Sequence, residues 1–163
     1  MINITEYVED KEHLLSLVEE LQDYLTNLDS LKRLRKTAKY GNFQIDDLYK
    51  QVSECYGKIY VAKDEDKIIG MIVGIIEPCS ESDESACIPT KWGNILELII
   101  NKAYRNKNIG SLLMKEMEDY FKLQWCDVIR VWVLTCNIKA HEFYKKQEYQ
   151  DRMVYMIKVI SKE

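Results

Sequence analysis

One stretch limits what this chain can fold into more than any other, the run from Gly93 to Phe121. It opens with Gly-Asn-Ile-Leu-Glu-Leu-Ile-Ile, a short and almost unbroken apolar run of the kind a strand covered on both faces requires. It closes with Ile109, Leu112, Leu113, Met117, Tyr120 and Phe121 at helical spacing. Between them lies the polar connection Arg105-Asn106-Lys107-Asn108-Ile109-Gly110-Ser111. A strand feeding a helix through such a loop leaves unpaired N–H groups, a small glycine and flanking cations at the helix start. That combination is an anion site, and a phosphate-bearing ligand is the expected occupant. It is not a Walker loop, because Gly110-Ser111 is followed by Leu112 rather than completing Gly-Lys-Ser/Thr.

The rest of the chain supplies elements around this one. Ile2, Ile4 and Tyr7 suggest an opening strand, and Leu14, Leu17, Val18, Leu21, Leu25 and Leu28 recur at helical intervals after a candidate cap at Asp10. The segment Asp29–Asn42 is basic, with Lys32, Arg33, Arg35, Lys36 and Lys39, and Gly41 reads as a break before a second helix over Ile45–Cys55. The period then changes to that of a strand. Lys58–Lys63, the turn Asp64–Lys67 and Ile68–Ile76 make a hairpin. Pro78, Pro89 and interspersed serines and acids make Glu77–Trp92 a long loop. Beyond the central stretch come a strand over Val128–Leu134, a short helix over Ile138–Lys146 and a last strand over Arg152–Ile160. The order β-α-α-β-β-β-α-β-α-β predicts a mixed α/β fold around one central sheet.

With 163 residues the chain is read as one domain, 1–163, with room for a substantial core. A net charge of −4 speaks against a general nucleic-acid binder, and no apolar run reaches the roughly 20 residues of a membrane span. The five cysteines have no C-x-x-C spacing, so no metal site is expected and reduced thiols in the cytoplasm explain them. The first residues lack a basic and an apolar region, so no signal peptide is read there and the expected location is cytoplasmic.

Two blocks carry a resemblance. Arg105-x-x-Asn108-x-Gly110 between strand and helix resembles the acyl-CoA loop of the GNAT-superfamily N-acetyltransferases, commonly Arg/Gln-x-x-Gly-x-Gly/Ala. Asn137-x-x-Ala140-x-x-Phe143-Tyr144, running on to Tyr149, is similar to that family's last helix and the strand entry after it. The blocks stand in the family's order, after the expected hairpin. Asn108 replaces the usual first glycine, and Glu148 stands where many members have Gly.

The resemblance implies a GNAT-like fold, a mixed, mostly antiparallel sheet flanked by about four helices. It implies an N-acetyltransferase that moves an acetyl group from acetyl-CoA, as co-substrate, to a primary amine by direct attack in a ternary complex. The loop amides of Arg105, Asn106, Lys107, Asn108, Ile109, Gly110 and Ser111 would hold the pyrophosphate. The main chain of Leu98, Ile99 and Ile100 would hold the pantetheine arm and polarise the thioester carbonyl. Asn137 would bond the pantetheine amides, cap the last helix, or do both. Tyr144 would be the acid toward the departing thiolate, against the simpler role of packing beside Phe143.

Glu97 interrupts an apolar strand, where burial would raise its pKa toward the range of a useful base. The structural alternative is an ion pair with Arg130 on the neighbouring strand. His13 and His141 are placed outside the site, and the acidic run Glu77, Glu81, Asp83 and Glu84 is a solvated loop or a lure for a cationic substrate. The acceptor is expected between Asp29–Asp47 and the last strands, as a small-molecule or peptide amine, and a homodimer is a family-level expectation. The competing readings are a non-catalytic acyl-CoA-binding or regulatory domain, motivated by Asn108 and Glu148, and an interaction module built on the first helix.

Overall fold

The computed structural model describes residues 2–8, 11–80 and 85–160. Its elements, in chain order, are β1 (Ile2–Glu6), a 3-10 turn (Lys11–Leu14), α1 (Leu15–Leu28), α2 (Tyr40–Glu54), β2 (Lys58–Asp64), β3 (Lys67–Glu77) and β4 (Trp92–Ile100). A second 3-10 turn (Lys102–Tyr104), α3 (Ile109–Leu123), β5 (Val128–Val131) and α4 (Ile138–Lys146) complete the order. The five strands form one sheet in the order β1-β2-β3-β4-β5. Neighbours are antiparallel except β4 and β5, which run parallel. The mixed sheet and four α-helices among the described residues agree with the expected fold class.

Helices cover both faces of the sheet, which is why β3 and β4 read as continuous apolar runs. On one face α3 packs Ile109, Leu113, Met117 and Phe121 against Ile72, Ile76 and Ile95. On the other, Leu17 and Val18 of α1 and Ile45 and Leu48 of α2 meet Val61, Met71, Val73 and Ile99. Close approach of α3 explains two glycines. A Cβ at Gly93 would stand 2.6 Å from the Phe121 ring, and one at Gly74 2.5 Å from Met117 Sδ. Phe121 can lie flat on the sheet only because those strand positions carry no side chain.

Several boundaries differ from the sequence reading, among them β5, which ends at Val131 rather than Leu134. Gly41 does not break the chain. It lies inside α2, where its bare backbone meets Leu15 and Glu19 of α1, with a Cβ position only 2.7 Å from Glu19 Oε1. The glycine is therefore a helix-contact device, not a punctuation mark. The proposed cap Asp10 lies outside the described residues, and the 3-10 turn leads straight into α1. The expected last strand does not form. Residues 151–160 are neither helix nor strand and are exposed: the run has the side chains of a strand, but a strand also needs a ladder of hydrogen bonds to a neighbour, and the sheet ends at β5.

Candidate active site

The register of β4 builds the site. Val73 pairs with Glu97 and Gly74 with Ile95, so Leu96 is an extra residue on β4 with no opposite number. A bulge reverses the alternation of side chains beyond it. Ile95 belongs to the α3-facing core, but Glu97, two residues on, turns to the opposite face, where Gln44 of α2 donates Nε2–H to its Oε1 at 3.1 Å. Without the bulge Glu97 would point into the packed contact with α3. The bulge also coincides with the end of the β4–β5 ladder, whose last pair is Ile95 with Val131. Beyond that pair the two strands separate and a cleft opens between them.

The cleft is lined by Leu96, Glu97 and Leu98 from β4, by Val131, Trp132, Val133 and Leu134 from β5 and its continuation, and by Asn137, Ala140 and Tyr144 at α4. Leu21 and Leu25 of α1 close its third side. Glu97 faces this cleft, and the apolar surroundings push its carboxyl from 4.5 up to about 7, partly offset by the hydrogen bond from Gln44. Burial, then the charge of Glu97, raises the Tyr144 hydroxyl above its ordinary range. The same two causes bring Tyr40 to about 12. A carboxyl poised near neutrality and a phenol held protonated thus share one cleft, an arrangement typical of acid–base sites.

Tyr144 sits edge-on between Phe143 and Tyr149, with ring centroids at 5.3 and 5.7 Å. Packing and exposure to the cleft are thus both met by one side chain. Asn137 caps α4, its Oδ1 accepting from Ala140 N at 3.4 Å, and the same oxygen accepts from the Tyr24 hydroxyl at 3.3 Å. Capping is therefore one of its roles here.

The loop before α3, which meets α4 through Gly110 against Phe143 and Ser111 against Gln147, holds Asn106 and Asn108 at φ 63° and 62°. Asparagine tolerates this left-handed geometry better than other residues with a side chain. Asn108 is the N-cap of α3 but makes no side-chain cap bond, and Leu112 N is the first amide to bond back to its carbonyl, at 3.2 Å. The preceding amides of Ile109, Gly110 and Ser111 are left without intrahelical acceptors, as at any helix start. Gly110 faces the Phe143 ring, with a Cβ position 3.2 Å from it, so the small residue brings the loop and α4 together.

Arg105 does not reach freely toward that loop. Its Nε donates to Ile100 O at 3.0 Å, its Nη2 to Glu20 Oε1 at 3.3 Å, and its guanidinium lies 5.1 Å from the Tyr24 ring centroid. Its role in this arrangement is to tie the end of β4 to α1. Leu98, Ile99 and Ile100 continue β4 past the last β5 pair, so the main chain on that edge has no strand partner.

The ion pair with Arg130, the structural alternative for Glu97, is not formed. Arg130 lies opposite Asn94, bonds it at 3.2 Å and pairs with Glu77, while stacking 5.3 Å from the Trp92 ring centroid. Gln44 bonds Glu97, Tyr24 bonds Asn137, Tyr40 feels the charge of Glu97 and Glu20 bonds Arg105, and no pattern in the sequence singles out these four. Leu21 and Leu25 belong to the apolar stripe of α1 by their spacing, yet both face the cleft.

A family model described as the acetyltransferase (GNAT) family matches residues 16–149. The chain belongs to the GNAT acetyltransferase family. A relative in Methanocaldococcus jannaschii, named an uncharacterised N-acetyltransferase, is 27% identical over 132 residues, covering 77% of this chain and 74% of the relative. A mutant of a Bacillus halodurans protein has the same fold, with a TM-score of 0.85 at 19% identity over 98% of this chain and 99% of that one. Glucosamine-6-phosphate N-acetyltransferase from Arabidopsis thaliana superimposes with a TM-score of 0.67 at 15% identity, over 99% of each chain. Acetyl transfer is the family's reaction and acetyl-CoA its usual donor. No group of three or more metal-ligating side chains occurs among the described residues, and no helix there is long and apolar enough to cross a membrane.

Proposed function

We propose that residues 1–163 form one acyltransferase domain that moves an acetyl group from acetyl-CoA to a primary amine by direct attack in a ternary complex. One observation carries the reading: Glu97, poised at about 7, and Tyr144, held protonated, line the same cleft where β4 and β5 part.

The donor supplies an activated acetyl carbon and a thiolate leaving group. The residues present fit it. Free amides from 105 to 111 suit the pyrophosphate, and the unpaired edge of Leu98, Ile99 and Ile100 suits the amides of the pantetheine arm. Main-chain N–H groups on that edge polarise the acyl oxygen. Asn137, which keeps its amide nitrogen for a ligand while its oxygen serves Tyr24 and the helix cap, bonds the arm from the other side.

Glu97 accepts the proton the attacking amine must lose, and Gln44 fixes the carboxylate orientation while leaving its second oxygen to the cleft. Tyr144 donates its phenolic hydrogen toward the sulfur as charge develops there. The acceptor enters past Leu21, Leu25, Tyr40 and Gln44, so it is a small-molecule or peptide amine, and the enzyme acts in the cytoplasm as a homodimer. The test is titration of acetyl-CoA into the protein, then thiol release across a panel of amines. Micromolar binding with amine-dependent turnover supports the reading, and binding without turnover on any amine favours the non-catalytic alternative.

A further inference from the structure

One helix holds both sides of the cleft. On α1, Glu20 and Tyr24 stand four residues apart and so share a face. Glu20 is fastened to the turn that follows β4. Its Oε2 accepts from Asn101 Nδ2 at 3.2 Å, and its Oε1 accepts from Lys102 N at 2.8 Å and from Arg105 Nη2 at 3.3 Å. Arg105 in turn donates its Nε–H to Ile100 O at 3.0 Å, so the strand end fixes its guanidinium as well as α1 does. One turn further along α1, the Tyr24 ring centroid lies 5.1 Å from that guanidinium, and the Tyr24 hydroxyl donates to Asn137 Oδ1 at 3.3 Å. Tyr24 therefore reaches from the end of β4 to the start of α4, across the gap that opens where β4 and β5 part.

What this contact does to Asn137 follows from its donors. A carboxamide presents one accepting oxygen and one donating nitrogen, and its terminal torsion is broad and roughly two-fold. The cap bond from Ala140 N is 3.4 Å long, beyond the usual range for such a bond, and alone would hold the amide loosely. The Tyr24 hydroxyl brings a second donor to the same oxygen. With both donors on Oδ1, Nδ2 is the half of the side chain left for the cleft that Asn137 lines. Asn137 is buried, so an amide turned the other way would set its N–H groups against those two donors, at the cost of unpaired buried polar atoms.

We propose that Tyr24 is a positioning residue of acyl transfer: it fixes the Asn137 amide and, braced on Arg105, sets the spacing between that amide and the Leu98–Ile100 edge. This role rests on the reading of the cleft as the acetyl-CoA site, with the pantetheine arm passing between that edge and Asn137. Tyr24 touches neither the acyl group nor the sulfur; it acts through Asn137. A strut here has leverage, because displacing a bound reactant by about 1 Å can cost on the order of 100-fold in rate. Packing beneath Arg105 would need only an aromatic ring. The hydroxyl is what reaches α4, and it is the atom to remove.

The test is a double-mutant cycle on the full chain, with acetyl-CoA affinity read by titration calorimetry for wild type, Tyr24→Phe, Asn137→Ser and the double variant. Phenylalanine keeps the ring beside Arg105, and serine keeps an N-cap oxygen while removing the amide. Tyr24→Phe should weaken acetyl-CoA binding about 5- to 10-fold and Asn137→Ser by at least about 10-fold. The double variant should bind no more weakly than Asn137→Ser, because the hydroxyl acts through that amide. The free nucleotide 3′-phospho-ADP, which keeps the pyrophosphate but lacks the arm, should bind wild type and Tyr24→Phe equally. Thermal melts of the four proteins check that each is folded. Unchanged acetyl-CoA affinity in Tyr24→Phe, additive losses in the double variant, or an equal loss of nucleotide affinity would each overturn the role. The last would mean that Tyr24 serves the phosphate loop through Arg105 instead. Failure of the wild type to bind acetyl-CoA would overturn the reading of the cleft itself, and this role with it.

Discussion

The two ends of the cleft are built from different material. At the α3 end the expected ligand contacts are main-chain amides around Asn108, Ile109 and Gly110, positioned by backbone angles and by the approach of Phe143. At the acceptor end they are side chains: Glu97, set by a strand bulge, Tyr40 and Gln44 beside it on α2, and Tyr144 on α4. A main-chain site tolerates most side-chain changes but fails when the backbone path is blocked. A side-chain site fails at single atoms. This is why Asn108 in place of glycine is a mild departure: it adopts the left-handed angle that the loop demands, at φ 62°.

The largest expected effect comes from blocking the main-chain end. Gly110→Trp adds bulk where even a Cβ would already lie 3.2 Å from the Phe143 ring, so acetyl-CoA affinity should fall by at least about 100-fold. Titration calorimetry reads this directly, and a thermal melt shows whether the fold survives.

At the side-chain end, Glu97→Gln should leave acetyl-CoA affinity unchanged and lower kcat/KM at pH 8 by on the order of 100-fold. For the wild type the rate should rise with pH and level off above about 7, where Glu97 becomes the carboxylate. The variant profile should be flat over that limb. Stability should move in the opposite direction. Between 4.5 and about 7 the folded state holds a proton that the unfolded chain has released, so wild-type stability falls as pH rises through that window. Glu97→Gln removes that fall, worth up to about 3 kcal/mol, measurable by urea unfolding at pH 4 and pH 8.

Gln44→Leu is a smaller change at the same end. It removes the hydrogen bond that lowers the Glu97 pKa, so the inflection of the rate profile should move above 7 with little change in acetyl-CoA affinity. An unmoved inflection would show that Gln44 does not act on Glu97.

The smallest effect lies outside the cleft. Glu148 is held at φ 66°, a left-handed angle unfavourable for a residue with a side chain. Glu148→Gly should stabilise the protein by about 1 kcal/mol, read as a rise in Tm without loss of acetyl-CoA binding.

How much of this is legible in the sequence differs along the same line. The strand, loop and α3 come from a local apolar period and a polar break, and the Asn137–Tyr149 block gives α4 with its cap and its tyrosine. Those features need only neighbours in sequence. The bulge at Leu96 does not: nothing in an unbroken apolar run reveals where one residue lacks a partner. Strand neighbours alone therefore offer Arg130 to Glu97, whereas the register sends Arg130 to Glu77 and Asn94. Gln44 lies fifty-three residues before Glu97, in a segment that reads as basic and then helical, with no local mark of its partner. Gly41 reads as a break because a glycine's contact across two helices is invisible along one of them. The free run after Arg152 has the composition of a strand, and strand formation needs an edge that composition cannot supply.

The central claim is that one cleft both binds the donor and performs the transfer. It is tested most directly by comparing wild type with Tyr144→Phe for acetyl-CoA affinity and for thiol release with an accepted amine. Equal affinity with turnover reduced by about 100-fold is the predicted result. Equal turnover in the two proteins would contradict the account.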